Sequence, residues 1–277
     1  MAEPSPQTTF TQKLRAAQQT NNSYLCIGLD PDPELMAHHH VPSFLTEIIE
    51  ETKDLACAYK PNFAFFEAMG LSGMQTMLEA LRAIPKHIPI IADAKRGDIG
   101  NTMRFYAKTI FDVYKFDACT VNAWGGRDAI EPFTAHKDRG VFIWCRSSNP
   151  GAADVQDRPQ ADGSPTYELI AEKAREWNEH GNIGLVAGAP WPEQIERVRA
   201  ICPDQVILVP GVGAQQGALE DAVHAAVDAR GEGFLINASR GVLYASRGDD
   251  YAAAARREAQ RLRNRINVMR EAAVARG

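Results

Sequence analysis

The chain has 277 residues, enough for one large domain or two small ones. A formal charge of −5 argues against a general nucleic-acid binder but permits a local basic pocket. Hydrophobic residues make up 45%, yet no apolar run reaches membrane-spanning length and no signal-peptide pattern opens the chain, so a cytoplasmic globular protein is expected.

The opening MAEPSPQTTFTQ, about residues 1–12, reads as a polar extension before an amphipathic segment. Beyond it, short apolar runs alternate with longer helical patterns. Strands are predicted at 24–30, 56–62, 88–95, 118–124, 141–147, 182–188, 205–212 and 233–239. Helices are predicted near 43–54, 71–83, 100–113, 127–136, 166–180, 192–200, 215–229 and 250–273. The strand runs are almost uniformly apolar, which suits parallel strands covered on both faces. Strict alternation of this count and length predicts a single-domain (β/α)8 TIM barrel over residues 1–277. A doubly wound open sheet is the alternative, but no strand opens a dinucleotide fingerprint. One connection is long: SSNPGAADVQDRPQADGSPTYE, whose 148–166 part is expected to form a mobile lid.

Two residue sets invite a metal reading and fail it. Cys26, Cys57, Cys119, Cys145 and Cys202 lack CxxC spacing and fall mostly in or beside strand runs, as buried free thiols in a reducing compartment would. His38, His39 and His40 are consecutive, so their side chains diverge.

In such a barrel the site lies at the C-terminal ends of the strands, and polar residues collect there. Asp30 closes the first run, Lys60 and Asn62 the second, Asp93 and Lys95 the third, Asn122 the fourth, and Ser147 with Ser148 the fifth. The seventh ends in PGVGAQQG and the eighth in NASRG. Backbone amides at Gly211 and Gly213, a helix starting near Gln215, and the Arg240 guanidinium together suit a phosphate. Residues two apart on a strand share a face, so Asp93 and Lys95 point the same way. Asp98, past Gly97, could simply cap the following helix. Lys60 on the neighbouring strand makes that plain reading less adequate, because Lys60, Asp93, Lys95 and Asp98 form a set of four charges with no net charge. Charges at that depth are costly unless paired or used for chemistry.

These residues resemble a known family. DAKRGDIGNT carries the DxKxxDIxxT motif of orotidine 5'-phosphate decarboxylases, and GLDPD, KPNFAFFE, SSNPG, PGVGAQ and SRG extend the resemblance over nearly the whole chain, in the style of its longer bacterial subgroup. The resemblance implies that orotidine 5'-phosphate is decarboxylated to UMP without metal or cofactor. It implies that Lys60, Asp93, Lys95 and Asp98 form a catalytic tetrad, with Lys95 protonating C6 and Asp93 crowding the substrate carboxylate. Asp30 and Lys60 would hold ribose hydroxyls, Ser148 (or the adjacent Ser147) would read the ring, and Gly213, Gln215 and Arg240 would grip the phosphate. Asp98 and Thr102 would act in the partner's site of a homodimer.

Three rival readings stand beside it. A magnesium-holding sugar-phosphate decarboxylase of the same superfamily would carry an acid where Lys60 stands, and a lysine there repels the metal. Schiff-base chemistry at Lys60 or Lys95 is the second, and an inactive nucleotide-binding barrel is the third.

Overall fold

The structure, a computed structural model, describes residues 8–37, 40–212 and 216–275. In chain order its elements are α1 (Phe10–Thr20), β1 (Leu25–Leu29), α2 (Val41–Thr52), β2 (Ala58–Pro61), α3 (Phe63–Glu67), α4 (Gly70–Ala80), β3 (Ile91–Arg96), α5 (Gly100–Ala107), β4 (Ala118–Val121) and α6 (Arg127–Thr134). There follow β5 (Gly140–Arg146), α7 (Thr166–Glu176), β6 (Ile183–Ala187), α8 (Pro192–Ile201), β7 (Ile207–Pro210), α9 (Gln216–Ala226), β8 (Phe234–Ala238), α10 (Arg240–Leu243) and α11 (Tyr251–Val274). The eight strands are parallel, in the order β2-β1-β8-β7-β6-β5-β4-β3. The two ends of that order meet through parallel bridges Tyr59–Ile90 and Asn62–Asp93, which close the sheet into the expected (β/α)8 barrel.

Every residue of β1, β2, β4, β6 and β8 is buried. Outward-facing strand residues pack under the helix ring, while inward-facing ones fill the barrel, so both faces demand apolar side chains. The lower interior is a layer of Cys26, Ala58, Ile91, Ala118, Phe142, Val186, Leu208 and Leu235. Phe10 and Leu14 of α1 join this layer from below.

That role for α1 corrects one sequence expectation. Phe10, Thr11 and Gln12, read as part of a polar extension, form the first turn of a helix. Thr9 and Gln12 make a reciprocal capping box at its start. The Phe10 ring meets Phe142 edge-on at 5.6 Å, and Gly140 makes room for it: a Cβ there would lie 2.4 Å from the ring. The polar composition of the flanking residues hid one helix whose buried stripe is only Phe10, Leu14, Ala17 and Gln18. Two other segments depart from the expected pattern. The helix predicted over 100–113 runs as α-helix to Ala107 and continues in π geometry over Lys108–Val113. The β5–α7 connection holds a 3-10 turn at Pro150–Asp154 and a bridge between Pro159 and Pro165, so it has local structure of its own. Among the described residues no helix is long and apolar enough to cross a membrane.

Candidate active site

At the C-terminal mouth the inward positions turn from apolar to charged. Lys60 on β2 and Asp93 on β3 are 3% and 8% exposed, so each needs the other. Lys60 Nζ donates to Asp93 Oδ2 at 2.7 Å, and Lys95 Nζ donates to Oδ1 at 2.5 Å. The Thr120 hydroxyl on β4 adds a third donor to Oδ1 at 3.0 Å. Burial acts first on Lys60 and pushes its pKa down, but the Asp93 and Asp30 carboxylates reverse this and hold the ammonium above the usual lysine range. Burial likewise pushes Asp93 up, and Lys60 and Lys95 more than reverse it, holding the carboxyl well below the usual carboxylate range. The result is an ionised carboxylate with both oxygens engaged, flanked by an almost fully buried ammonium and a more accessible one.

Lys95 reaches this position from a strained backbone. Its φ is +44°, and the register between β3 and β4 shifts between Ala92 and Arg96, as at a β-bulge. Lys95 N–H donates to Thr120 Oγ1 at 3.0 Å, so one hydroxyl holds both the bulge and Asp93. The Lys95 ammonium also lies 6.0 Å from the Trp144 ring centroid on β5.

Around this cluster lie the other expected residues. Asp30 follows β1, and its Oδ1 is buried with no hydrogen-bond partner among the described residues. Gly28 below it lets Ser239 pack close: a Cβ there would come 1.9 Å from Ser239 Oγ and 2.8 Å from its Cβ. Ser147 is tied down: its hydroxyl donates to Asn149 Oδ1 at 2.5 Å and its N–H to Gln156 Oε1 at 2.8 Å. Ser148 instead packs over Gly188 and Gly211 at the ends of β6 and β7, and its hydroxyl has no partner among the described residues. Gly211 adopts φ +89° and faces Ser148 Cβ at 2.9 Å from its would-be Cβ, which favours glycine twice over. Arg240 opens α10, exposed and without an ion pair among the described residues. Gly213 and Gln215 lie outside the described residues, as do His38 and His39.

Asp98 stands apart from the triad within its own chain. It is exposed, and its carboxylate accepts from the neighbouring Ile99 N–H at 2.7 Å. It is no helix cap either: α5 begins at Gly100 with Ile99 at the cap position and no side-chain capping bond. Thr102 is half-buried on α5.

Several residues at this end were not singled out from the sequence. Thr120 follows from alternation, lying between inward Ala118 and Asn122, and could have been found that way. Arg146, the lone charge in VFIWCRS, is fully buried; its Nη2 donates to Asp157 Oδ2 at 2.9 Å, its Nη1 to the Ser147 carbonyl at 2.7 Å, and it lies 4.7 Å from the Trp191 ring. It thereby ties the long β5–α7 connection to the barrel mouth.

Comparison with known proteins shows which family this barrel belongs to. The profile of the Orotidine 5'-phosphate decarboxylase / HUMPS family matches residues 23–257. An orotidine 5'-phosphate decarboxylase of Roseiflexus sp. (strain RS-1) is 50% identical over 267 residues, covering 94% of this chain and 98% of the relative. One from Cellvibrio japonicus (strain Ueda107) is 49% identical over 275 residues, covering 95% and 99%. The solved Leishmania donovani OMP decarboxylase is 39% identical with a TM-score of 0.84, covering 95% of this chain and 100% of that one. With the family profile matching residues 23–257 and relatives about half identical over nearly their whole length, the chain belongs to the orotidine 5'-phosphate decarboxylase / HUMPS family.

Proposed function

We propose that the protein converts orotidine 5'-phosphate to UMP and carbon dioxide, as a cytoplasmic step of de novo pyrimidine biosynthesis with no nucleic-acid or membrane partner. The observation that carries this reading is the ionised Asp93 held between Lys60 and Lys95 at the barrel mouth. A substrate carboxylate placed beside Asp93 meets a like charge, and loss of neutral carbon dioxide relieves that repulsion. The bond between C6 and the carboxylate carbon breaks, its electron pair stays on C6, and the Lys95 ammonium gives C6 a proton that solvent later replaces. The ring cannot delocalise that pair as an enolate would, so a nearby cation is the main stabiliser. Remote binding energy from the phosphate, gripped by Arg240, Gln215 and the Gly213 amide, is used at the reacting carbon. Asp30 and Lys60 hold the ribose, Ser148 reads the ring, and the 148–166 segment closes over them within a single-domain barrel.

The reading is independent of metal and cofactor. With both Asp93 oxygens taken by ammonium groups, this carboxylate offers little to a divalent cation. Asp98 and Thr102 serve the partner's site in a homodimer. The exposure of Asp98 supports this, as do two large apolar side chains beside it: Ile99 is 72% and Trp124 76% exposed, and the Trp124 loop approaches the Asp98 carbonyl.

Purified protein should consume orotidine 5'-phosphate, followed by its ultraviolet absorbance, at an unchanged rate with a chelator present; failure to turn it over overturns the reading. Lys95→Ala should abolish turnover with the fold intact, and near-normal rates would remove Lys95 from the chemistry. Activity unaffected by borohydride would exclude a Schiff base at either lysine. Mixing inactive Lys95→Ala and Asp98→Ala chains should restore activity, because one hybrid site then holds both wild-type groups. If subunits exchange and no activity returns, Asp98 does not act across the interface.

A further inference from the structure

Asp30 is delivered to the site by a turn that local backbone bonding alone does not explain. The residue after it, Pro31, has no N–H to donate. The missing restraint comes from the far end of the chain. Tyr244, at the C-terminus of α10, donates its hydroxyl to the Asp30 carbonyl at 2.7 Å and accepts the Asp32 N–H at 2.6 Å. Its ring stacks on Phe44 of α2, with centroids 6.1 Å apart and planes 17° apart. Its own N–H donates to the Arg240 carbonyl at 3.1 Å, one turn back. Burial, the largest influence, pushes the Tyr244 phenol up to about 12, so it stays protonated and able to donate.

We propose that Tyr244 is a positioning residue, whose hydroxyl fixes the Asp30 carboxylate for the nucleotide's ribose and ties it to the short helix that carries Arg240. The hydroxyl acts on the Asp30 end alone, since the bond to Arg240 is made by the Tyr244 backbone N–H, and Tyr244 itself touches no substrate. The buried Asp30 Oδ1, without a partner among the described residues, is the acceptor so presented. This inference rests on the proposed decarboxylase site and adds how its ribose end is held.

The test is a double-mutant cycle on Tyr244→Phe and Asp30→Ala, read as kcat/KM for orotidine 5'-phosphate and as Kd for UMP by calorimetry. Tyr244→Phe keeps the ring on Phe44 but leaves a carbonyl and an N–H without their partner. UMP affinity and kcat/KM should each fall roughly tenfold. In the Asp30→Ala background the same change should cost less than about twofold, because the group it positions is gone. A purely structural role would give an equal loss in both backgrounds, and that outcome overturns the proposal. So does wild-type UMP affinity in Tyr244→Phe alongside weakened binding in Asp30→Ala, which sinks this inference while leaving the site reading intact. If Asp30→Ala itself binds UMP as wild type, the assignment of Asp30 fails and this inference falls with it. Calorimetry reports Kd on the folded sites alone, so a modest loss of stability in Tyr244→Phe does not mask the result.

Discussion

Replacing Asp93 by Asn tests whether the site's charges are paired as the geometry indicates. The amide keeps the shape but removes the charge that holds Lys60 and Lys95, whose Nζ atoms lie 2.7 and 2.5 Å from the two carboxylate oxygens. With charge centres about 4 Å apart and an effective dielectric near 20, each pair is worth about 4 kcal/mol before desolvation. Removing one partner of a buried pair typically costs about 3–5 kcal/mol, since the other charge stays buried. For a chain of this size that is a Tm loss of roughly 6–20 °C. The pH dependence gives a sharper test. In the wild type Lys60 is held above the usual lysine range, so its contribution is full below an unfolded pKa of about 10.4 and is lost as pH rises through the folded value. Asp93 is held below its usual range, so its contribution is full above about pH 4 and is lost only in acid. In Asp93→Asn, burial pushes Lys60 toward the neutral amine against the Asp30 carboxylate, with the Asp93 charge gone, so the unfolded chain is expected to bind more protons. Stability of the variant should then rise between pH 7 and 9, while that of the wild type stays flat. Thermal melts followed by circular dichroism at several pH values decide this. A variant with wild-type Tm, or one whose Tm falls as pH rises over that range, would refute the pairing argument.

Three further tests address separate features of the mouth and its rim. Lys95 holds φ +44°, so Lys95→Gly should be more stable than Lys95→Ala by about 1 kcal/mol in urea melts, the reverse of the order in an ordinary strand. Asp157→Ala leaves the fully buried Arg146 guanidinium without its carboxylate and loosens the connection; it should raise KM several-fold and lower stability by about 2 kcal/mol, and unchanged steady-state kinetics would remove that pair from the site's function. Trp124→Glu places a charge on the apolar patch beside Asp98; if that patch seals the proposed homodimer, sedimentation should show a shift to monomers with activity lost in parallel, and an unchanged sedimentation profile would remove the patch from the interface.

The barrel was legible because its strand runs are apolar on both faces, a pattern that a half-exposed sheet cannot sustain. The triad was legible in part for a reason the structure revises. Alternation placed Asp93 and Lys95 on one face, and they do touch, but through a bulge with a left-handed Lys95 rather than a regular pleat. No residue type announced that bulge, because lysine is not a residue that favours positive φ. Asp98 was ambiguous from the sequence, where capping and partner-facing roles share one spacing; its exposed carboxylate on the Ile99 amide removes the capping role. Tyr244 was beyond reach. Its hydroxyl acts on residues more than two hundred positions away, and only closure of β8 against β1 brings them together.

The barrel mouth concentrates what destabilises this fold. Lys60 is buried, Lys95 is strained, and one Asp30 oxygen has no partner among the described residues, all within the same few strand ends. Such a layer persists only where the rest of the structure over-determines it. Here the offset lies at the opposite end, in the dry layer that α1 seals with Phe10 and Leu14. Phe10 is 5% exposed, so Phe10→Ala should cost about 3–5 kcal/mol of stability. It lies at the base of the barrel, with the whole apolar layer between it and Lys60. Well below the lowered Tm, kcat and KM should therefore match the wild type, because the stabilising and reacting halves are stacked and share no polar contact. A change in either constant for the still-folded variant would mean that the plug also sets the geometry of the mouth, and the barrel would have to be read as one coupled unit.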